Sequence, residues 1–444
     1  MSAWRLFQLL DCFSTGIFDN DMTEPSVTSP SSSWITHLTL GIKAMGPGVL
    51  MAAAAIGASH LVASTRAGAE FGWQLAWVIL GVNLLKYPFF AAGARYTAAT
   101  GESLLHGYLK QGRGYLQLFT GLNVIAAVAS TAGVCMLTAA MLTQFIPLPI
   151  DWLALLVLLS SLALLILGHY QLLDKLTKII MFVLTLTTLI AVALAWDHAQ
   201  PLASNFVSPS PWQWAHVGFL VAMMGWMPAP IEVSAWNSLW LLEKQKNQTV
   251  TKAQALLDFN LGYIITGILA VVFLSLGALV MHGSGEHFSD SGAQFANQLI
   301  NLYSQVMGGE SRYLIGIVAF LCIFSTTVTV IDGYSRTLAM GWQLLSATNS
   351  SEKRLTGIML AISALGLLLI LFFKGALLPL LEFVMILAFM TTVIFAWLNY
   401  RLMTSSQLPE ADRYGAKMKL LSWFGLSYLL IFAALFVYWY AFIK

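Results

Sequence analysis

Eleven apolar runs, each near the length that crosses a bilayer, leave this chain of 444 residues little choice of fold. A helix spans about 30 Å of hydrocarbon with roughly 20 apolar residues. The runs lie near 45–70, 73–97, 116–146, 152–169, 175–196, 213–241, 256–281, 313–345, 354–373, 375–400 and 418–442. They are continuous rather than alternating, which excludes a transmembrane β-barrel. The sequence therefore predicts an all-α polytopic membrane protein with 11 transmembrane helices. The charge content agrees. Only 9% of the residues are charged, with a net charge of +2, against roughly 25% in soluble domains. A soluble enzyme is excluded, and so is a nucleic-acid binder, which needs a basic stripe. Cys12, Cys135 and Cys322 are too few and too scattered for a disulfide scaffold or a thiolate metal site.

The loops set an orientation. With the N-terminus cytoplasmic, sixteen Lys and Arg residues fall on the inside, Lys43, Arg95 and Lys110 among them, and four (Arg66, Arg312, Lys374 and Lys444) on the outside. That bias predicts an integral inner (cytoplasmic) membrane protein with its N-terminus in the cytoplasm and its C-terminus outside. Residues 1–36 read as a disordered cytoplasmic tail, because 23–33 are polar and rich in Pro and Ser and cannot bury enough surface to fold. Met22 is an alternative start. Residues 37–400 are expected to form the membrane-embedded core, with repeat one at about 45–196 and repeat two at about 213–400. Residues 401–444 add an inside loop and the eleventh helix. The lipid bilayer is the expected partner, with no obligate protein partner in evidence.

Two runs carry groups that spoil a helix at mid-membrane depth. The first reads Gly46-Pro47-Gly48, an Ala run, then Gly57-Ala58-Ser59-His60; the second reads Gly225-Trp226-Met227-Pro228-Ala229-Pro230-Ile231-Glu232. Pro228 and Pro230 remove two backbone donors and bias the residues before them away from the helix. Unwound backbone at that depth survives only inside protein or along a cavity. The interruptions fall in the first and sixth helices, matching positions of two five-helix halves. Such pairs point to a secondary transporter built from inverted repeats, with its site at the bilayer midplane.

The stretch Gly46-Pro47-Gly48, followed by Ala-rich sequence and Arg66-Ala67-Gly68-Ala69-Glu70-Phe71-Gly72, resembles the first helix of the NRAMP divalent-metal transporters. Trp77, Asn83, Thr100-Gly101-Glu102 and Asp258 extend the likeness. The resemblance implies a LeuT-like 5+5 inverted repeat with discontinuous helices 1 and 6 and rocking-type alternating access. The departures are as informative. Where that family has a metal-binding Asp-Pro-Gly-Asn, this chain has Gly57, Ala58, Ser59 and His60; where it has Met-Pro-His, this chain has Ala229, Pro230 and Ile231. No acidic residue lies between Leu122 and Gln144 in the third helix, where the family carries acids that relay protons.

Ionisable groups inside a membrane are expensive and are functional candidates by default. Glu232 follows the Pro228-Ala229-Pro230 break, Glu382 takes a tenth-helix position where the family has a Gln, and His60 takes the family's metal-binding Asn position. With carbonyls at Gly57, Met227 or Ala229 and the small Ala58 beside them, these residues offer oxygens and one imidazole to a divalent ion. Such a set suits a hard or borderline cation that keeps some water. Glu232 can equally cap the second half-helix. Lys86, Glu70 and the pair Asp332 and Arg336 are candidates for an ion or proton path or for charge pairing. The sequence thus supports a transporter of divalent cations of the Mn/Fe/Mg class, with no cofactor beyond the transported ion and a coupling proton left open. The alternative is a same-fold transporter of a small organic solute such as an amino acid or amine. No HExxH motif or nucleophile–base cluster suggests an enzyme.

Overall fold

The computed structural model describes residues 46–168, 170–197, 206–349, 351–373 and 375–443. The readings made for residues 1–36, Met22, Lys43, Lys374 and Lys444 lie outside the described residues. Helices occupy each of the eleven apolar runs, and among the described residues the extended structure amounts to one isolated bridge between Ser291 and Ala376. The first span comprises α1 (Pro47–Ala55), a π-helical stretch (Ile56–Ser64) and α2 (Thr65–Phe71). The second is α3 (Ala76–Thr100), which ends at Gly101 with φ +69°, the left-handed cap that glycine accepts without strain. A short α4 (Leu104–Gln111) leads into the third span, α5 (Arg113–Leu142). The fourth and fifth are α6 (Ile150–Ile166) and α7 (Tyr170–Asp197).

The sixth span is split into α8 (Val217–Trp226) and α9 (Val233–Asn247). The seventh is α10 (Lys252–Val280), opened by a Thr251/Gln254 capping box. An amphipathic α11 (Gly292–Met307) precedes the eighth span, α12 (Arg312–Ser346). Spans nine to eleven are α13 (Glu352–Phe373), α14 (Leu377–Met403) and α15 (Ala416–Phe442). Eight stretches are long and apolar enough to cross a membrane; Pro47–Thr100 contains two spans, and the shorter Ile150–Ile166 and Trp214–Trp226 belong to the fourth and sixth. The first, third, sixth and eighth spans form the buried centre. Helices α7, α13 and α15 turn side chains such as Leu186, Leu368 and Leu430 outward, as lipid-facing elements do.

The first span departs from the expected unwinding. It changes from α- to π-helix at Ile56 and stays helical through Ser64. The cause is the position of its only proline. Pro47 sits in the first turn, where its missing N–H costs nothing, and every later residue keeps its donor. The sixth span has prolines in mid-span, and there the helix does come apart. A π-helical insertion is itself rare and clusters at functional sites.

Gly46-Pro47-Gly48, expected to help break the helix, instead begins it. The Asp258 carboxylate accepts the N–H groups of Gly46 (3.0 Å) and Gly48 (2.8 Å), satisfying donors that a helix start leaves free. Glycines then let the first and seventh spans touch backbone to backbone. A Cβ on Gly48 would stand 2.1 Å from the Asp258 carbonyl oxygen, and one on Gly262 2.3 Å from that of Gly48. At the other end a Cβ on Gly68 would meet Leu274 O at 2.0 Å, and one on Gly277 would meet Thr65 O at 2.1 Å. Close approach through small residues is how membrane helices gain contact when lipid offers no hydrophobic drive.

Candidate functional site

The break in the sixth span determines the chemistry around it. In an unbroken helix the Met224 carbonyl would accept the N–H of residue 228, which proline lacks. The Lys86 ammonium, fully buried on α3, takes that place, donating to Met224 O at 2.6 Å and to Gly225 O at 3.1 Å. A cation at the C-terminal end of a half-helix is also favoured by the helix dipole. The sequence offered Lys86 for an ion or proton path or for charge pairing; its ammonium binds backbone carbonyls. Glu232, equally buried, lies within the field of Lys86 without an ion pair to it. Its Oε1 accepts the Tyr334 hydroxyl at 2.9 Å, and that hydroxyl meets Ser130 Oγ at 3.0 Å. Oε2 has no partner among the described residues.

The first span closes over this break. Ser59 Oγ reaches Pro228 O at 3.0 Å and also the carbonyl of Ala55. Gly57 lets the span approach the eighth, because a Cβ there would lie 2.0 Å from Thr326 Oγ1. Between these spans and the third lies a cavity of about 30 Å³, room for about two waters. Ala58 and Ser59 line it from the first span, Ser130 and Val134 from the third, Ala229 and Pro230 from the break, and Thr326, Val330 and Tyr334 from the eighth. Trp226 and Trp236 face it from either side of the break. Gly333 makes room for Trp236: a Cβ there would come within 2.5 Å of the indole.

Of the residues expected at the site, Ala58 and Ala229 line the cavity, Gly57 shapes it and Glu232 binds its Tyr334 wall. Three do not converge there. His60 turns toward α10, with Nε2 at 2.8 Å from Thr266 O and Nδ1 at 3.0 Å from Ala55 O and 2.8 Å from Ser59 Oγ, so both ring nitrogens are engaged by protein. The Met227 sulfur faces Ser64 at 3.9 Å. Glu382 pairs with Arg66 at 2.5 Å, and Arg66 also holds Glu70 at 2.5 Å, so the carboxylate belongs to a charge cluster between the first and tenth spans. Arg336 contacts both oxygens of Asp332 at 2.8 Å, an internal pair on α12. Among the described residues no three His, Cys, Asp or Glu side chains gather as a metal site. Sequence reasoning missed Trp226, Trp236, Ser130 and Tyr334. Tryptophans on either side of a Pro-x-Pro break were a usable signal for the first two.

Comparison with known proteins gives the same fold. Residues 48–439 match the family described as "Natural resistance-associated macrophage protein-like" (Nramp). An uncharacterized protein of Pasteurella multocida (strain Pm70) is 46% identical over 422 residues, 94% of this chain and 96% of its own. A Dictyostelium discoideum protein named as a metal transporter nramp1 homolog is 32% identical over 107 residues, 23% of this chain and 20% of its own. Crystal structures of a manganese transporter from Eremococcus coleocola superpose with a TM-score of 0.69 at 14% identity. One, a single-site mutant, covers 95% of this chain and 92% of its own; another, bound to an aromatic bis-isothiourea substituted compound, covers 96% and 92%.

Proposed function

This chain belongs to the Nramp family, and from that premise we propose that it is a secondary active transporter whose cargo occupies the cavity between the first, third, sixth and eighth spans. Its transport-type fold and apolar helices make it an integral membrane protein rather than an enzyme. Residues 37–400 act as the transporting core, with the N-terminus cytoplasmic and the C-terminus outside, in keeping with the distribution of Lys and Arg. The halves α8 and α9 move separately at the Met227–Glu232 break, and rocking against the third and eighth spans opens the cavity to one side and then the other.

The cargo best supported is a small organic solute. The observation that carries this is the lining: alanines, valines, hydroxyls and two indoles, with no carboxylate, imidazole or thioether among them. A divalent ion needs several oxygen, nitrogen or sulfur ligands around it, and neither His60 nor Glu382 is available to supply one. The divalent-cation reading is supported by the family and by the printed names of two relatives, and it draws on the free Oε2 of Glu232.

Calorimetric titration separates the two. Purified protein is titrated with Mn²⁺, Mg²⁺ and Ca²⁺, and its thermal unfolding is followed with small amino acids and amines. The expected result is no saturable metal heat and stabilisation by an organic solute. Saturable Mn²⁺ heat that disappears in Glu232→Ala but persists in Glu382→Ala would overturn the organic reading in favour of the metal one.

A further inference from the structure

We propose that the carbonyl end of α8 is a binding site for a primary ammonium ion, and that the chain fills it permanently with the side chain of Lys86. The two prolines make the site. In a continuous helix the carbonyls of Met224, Gly225 and Trp226 would accept the N–H groups of residues 228, 229 and 230. Pro228 and Pro230 have none to give, and α8 stops at Trp226, short of the turn that would bring residue 229 back. A helix end leaves such carbonyls open, and their partial negative charge draws a cation. The Lys86 ammonium meets two of them, Met224 O at 2.6 Å and Gly225 O at 3.1 Å.

The surroundings separate this lysine from one that merely fills space or pairs a charge. Its side chain is wholly buried, so bulk water takes no part in holding it. Among the described residues it makes no ion pair, and Glu232, the buried acid of the same break, gives its Oε1 to Tyr334. The carbonyls of α8 therefore fix the ammonium, which reaches them from α3 and bridges the two spans as a bound ion would. A hard cation such as Mg²⁺ or Ca²⁺ takes about six or more oxygens, which two carbonyls do not supply. An ammonium, with N–H groups to direct at single acceptors, is served by them. In transporters with broken helices the C-terminal end of a half-helix can hold an exchangeable Na⁺ or H⁺. Here the cation is part of the chain. It is neither taken up nor released as the halves move, and this end of the break draws no ion from either side. The inference concerns the end of α8 and holds whatever the cavity carries.

The test empties the site. Lys86→Ala removes the amine and leaves the room of its stem; Lys86→Met removes the amine and keeps the bulk. Each purified full chain is unfolded thermally in ammonium, methylammonium, tetramethylammonium and sodium chloride at one ionic strength. Lys86→Ala is expected to melt below the parent and to regain most of that loss as ammonium or methylammonium is raised, saturating as binding to the folded state requires. Tetramethylammonium, which has no N–H, and sodium should not restore it. The parent and Lys86→Met, whose sites are filled, should respond to none of the four salts. If Lys86→Ala cannot be recovered from membranes in sodium chloride, its yield in ammonium chloride is the reading, and recovery there counts as rescue. The inference is overturned if ammonium restores Lys86→Ala by neither measure, if sodium or tetramethylammonium restores it as well, or if Lys86→Met is restored equally. A parent stabilised by ammonium or sodium would also overturn it, because the site would then be open to an outside ion. The transport reading is judged apart, and fails if liposomes holding the parent accumulate no amino acid, carboxylate, amine or divalent metal.

Discussion

Lys86 shows what keeps a charge in the middle of this membrane protein. Its ammonium is held by the Met224 carbonyl, which Pro228 leaves without a donor, and by the Gly225 carbonyl, which the break at Met227 leaves free, and Glu232 is buried close to the same break. Removing the lysine strands both groups. Lys86→Met is therefore expected to destabilise the protein, since it leaves the buried Met224 and Gly225 carbonyls without a donor, at about 1–3 kcal/mol each. Glu232→Gln made in the same chain should recover part of that loss by neutralising the stranded charge. A cycle of the four proteins, followed by thermal unfolding in detergent, should give a coupling of about 1 kcal/mol or more. Strictly additive effects would mean that the two charges do not sense one another. The same residues mark how far a sequence can be read at this scale. That Lys86, Glu232 and His60 are buried followed from their depth in an apolar run, whereas Glu382 at the same kind of position is 37% exposed. Where each side chain points did not, because direction depends on the face of the helix and on the partner across from it. His60 engages the backbone of α10 and Glu382 engages Arg66, and neither choice is written in their own neighbourhoods of sequence.

At the scale of elements, the first and seventh spans meet through glycine, and the contact is backbone on backbone. The groups a new Cβ would strike, Thr65 O beside Gly277 and Asp258 O beside Gly48, cannot swing aside as a side chain does. Gly277→Val is expected to cut the yield of folded protein severely. Gly81→Ala is the contrast: its Cβ meets nothing within 4 Å, and in mid-helix it should stabilise by up to about 1 kcal/mol. Detergent-solubilised yield and thermal unfolding of the two variants check this, and equal tolerance of both would refute the close-contact account. The spans themselves were legible because hydrocarbon thickness fixes the length of an apolar run. The sixth-span break was legible because proline removes a donor wherever it falls. The π-helical form of the first span was not, since Gly57, Ala58 and Ser59 each retain their N–H and no local signal separates an α-turn from a wider one. The cavity was half legible: small residues and Pro-x-Pro indicated where it lies, while Ser130 and Tyr334 arrive from the third and eighth spans by tertiary packing alone.

For the whole molecule, the question is how one cavity faces two sides in turn. Two sets of ties lie on opposite sides of it along the first span. On the side of α1 and α9, Asp258 holds Gly46 and Gly48, Thr97 meets Ser238 at 2.7 Å, and Asn399 donates to Phe89 O at 2.7 Å and Ser234 Oγ at 2.9 Å. On the side of α2 and α8, Arg66 holds Glu70 and Glu382 and lies 4.9 Å from the ring centre of Phe219. The first set is buried hydrogen bonding. The second is partly open to solvent, with side-chain exposures of 16% for Arg66, 23% for Glu70 and 37% for Glu382. Partly exposed ion pairs contribute about 0–1 kcal/mol each, so this layer is the one that modest forces can part. Arg66→Ala should therefore shift the population toward a state open on the α2 side, by up to about fivefold for the loss of the Arg66–Glu382 pair, since Arg66–Glu70 lies within α2. The measurement is the labelling rate of Ser130→Cys by a water-soluble maleimide, in a chain that also carries Cys12→Ala, Cys135→Ala and Cys322→Ala. Faster labelling with Arg66→Ala, and little change with the exposed substitution Trp73→Phe, is the expected pattern. An unchanged rate would mean that the charge cluster holds the first and tenth spans together without gating the cavity, and the opening on that side would then have to come from the sixth-span break alone.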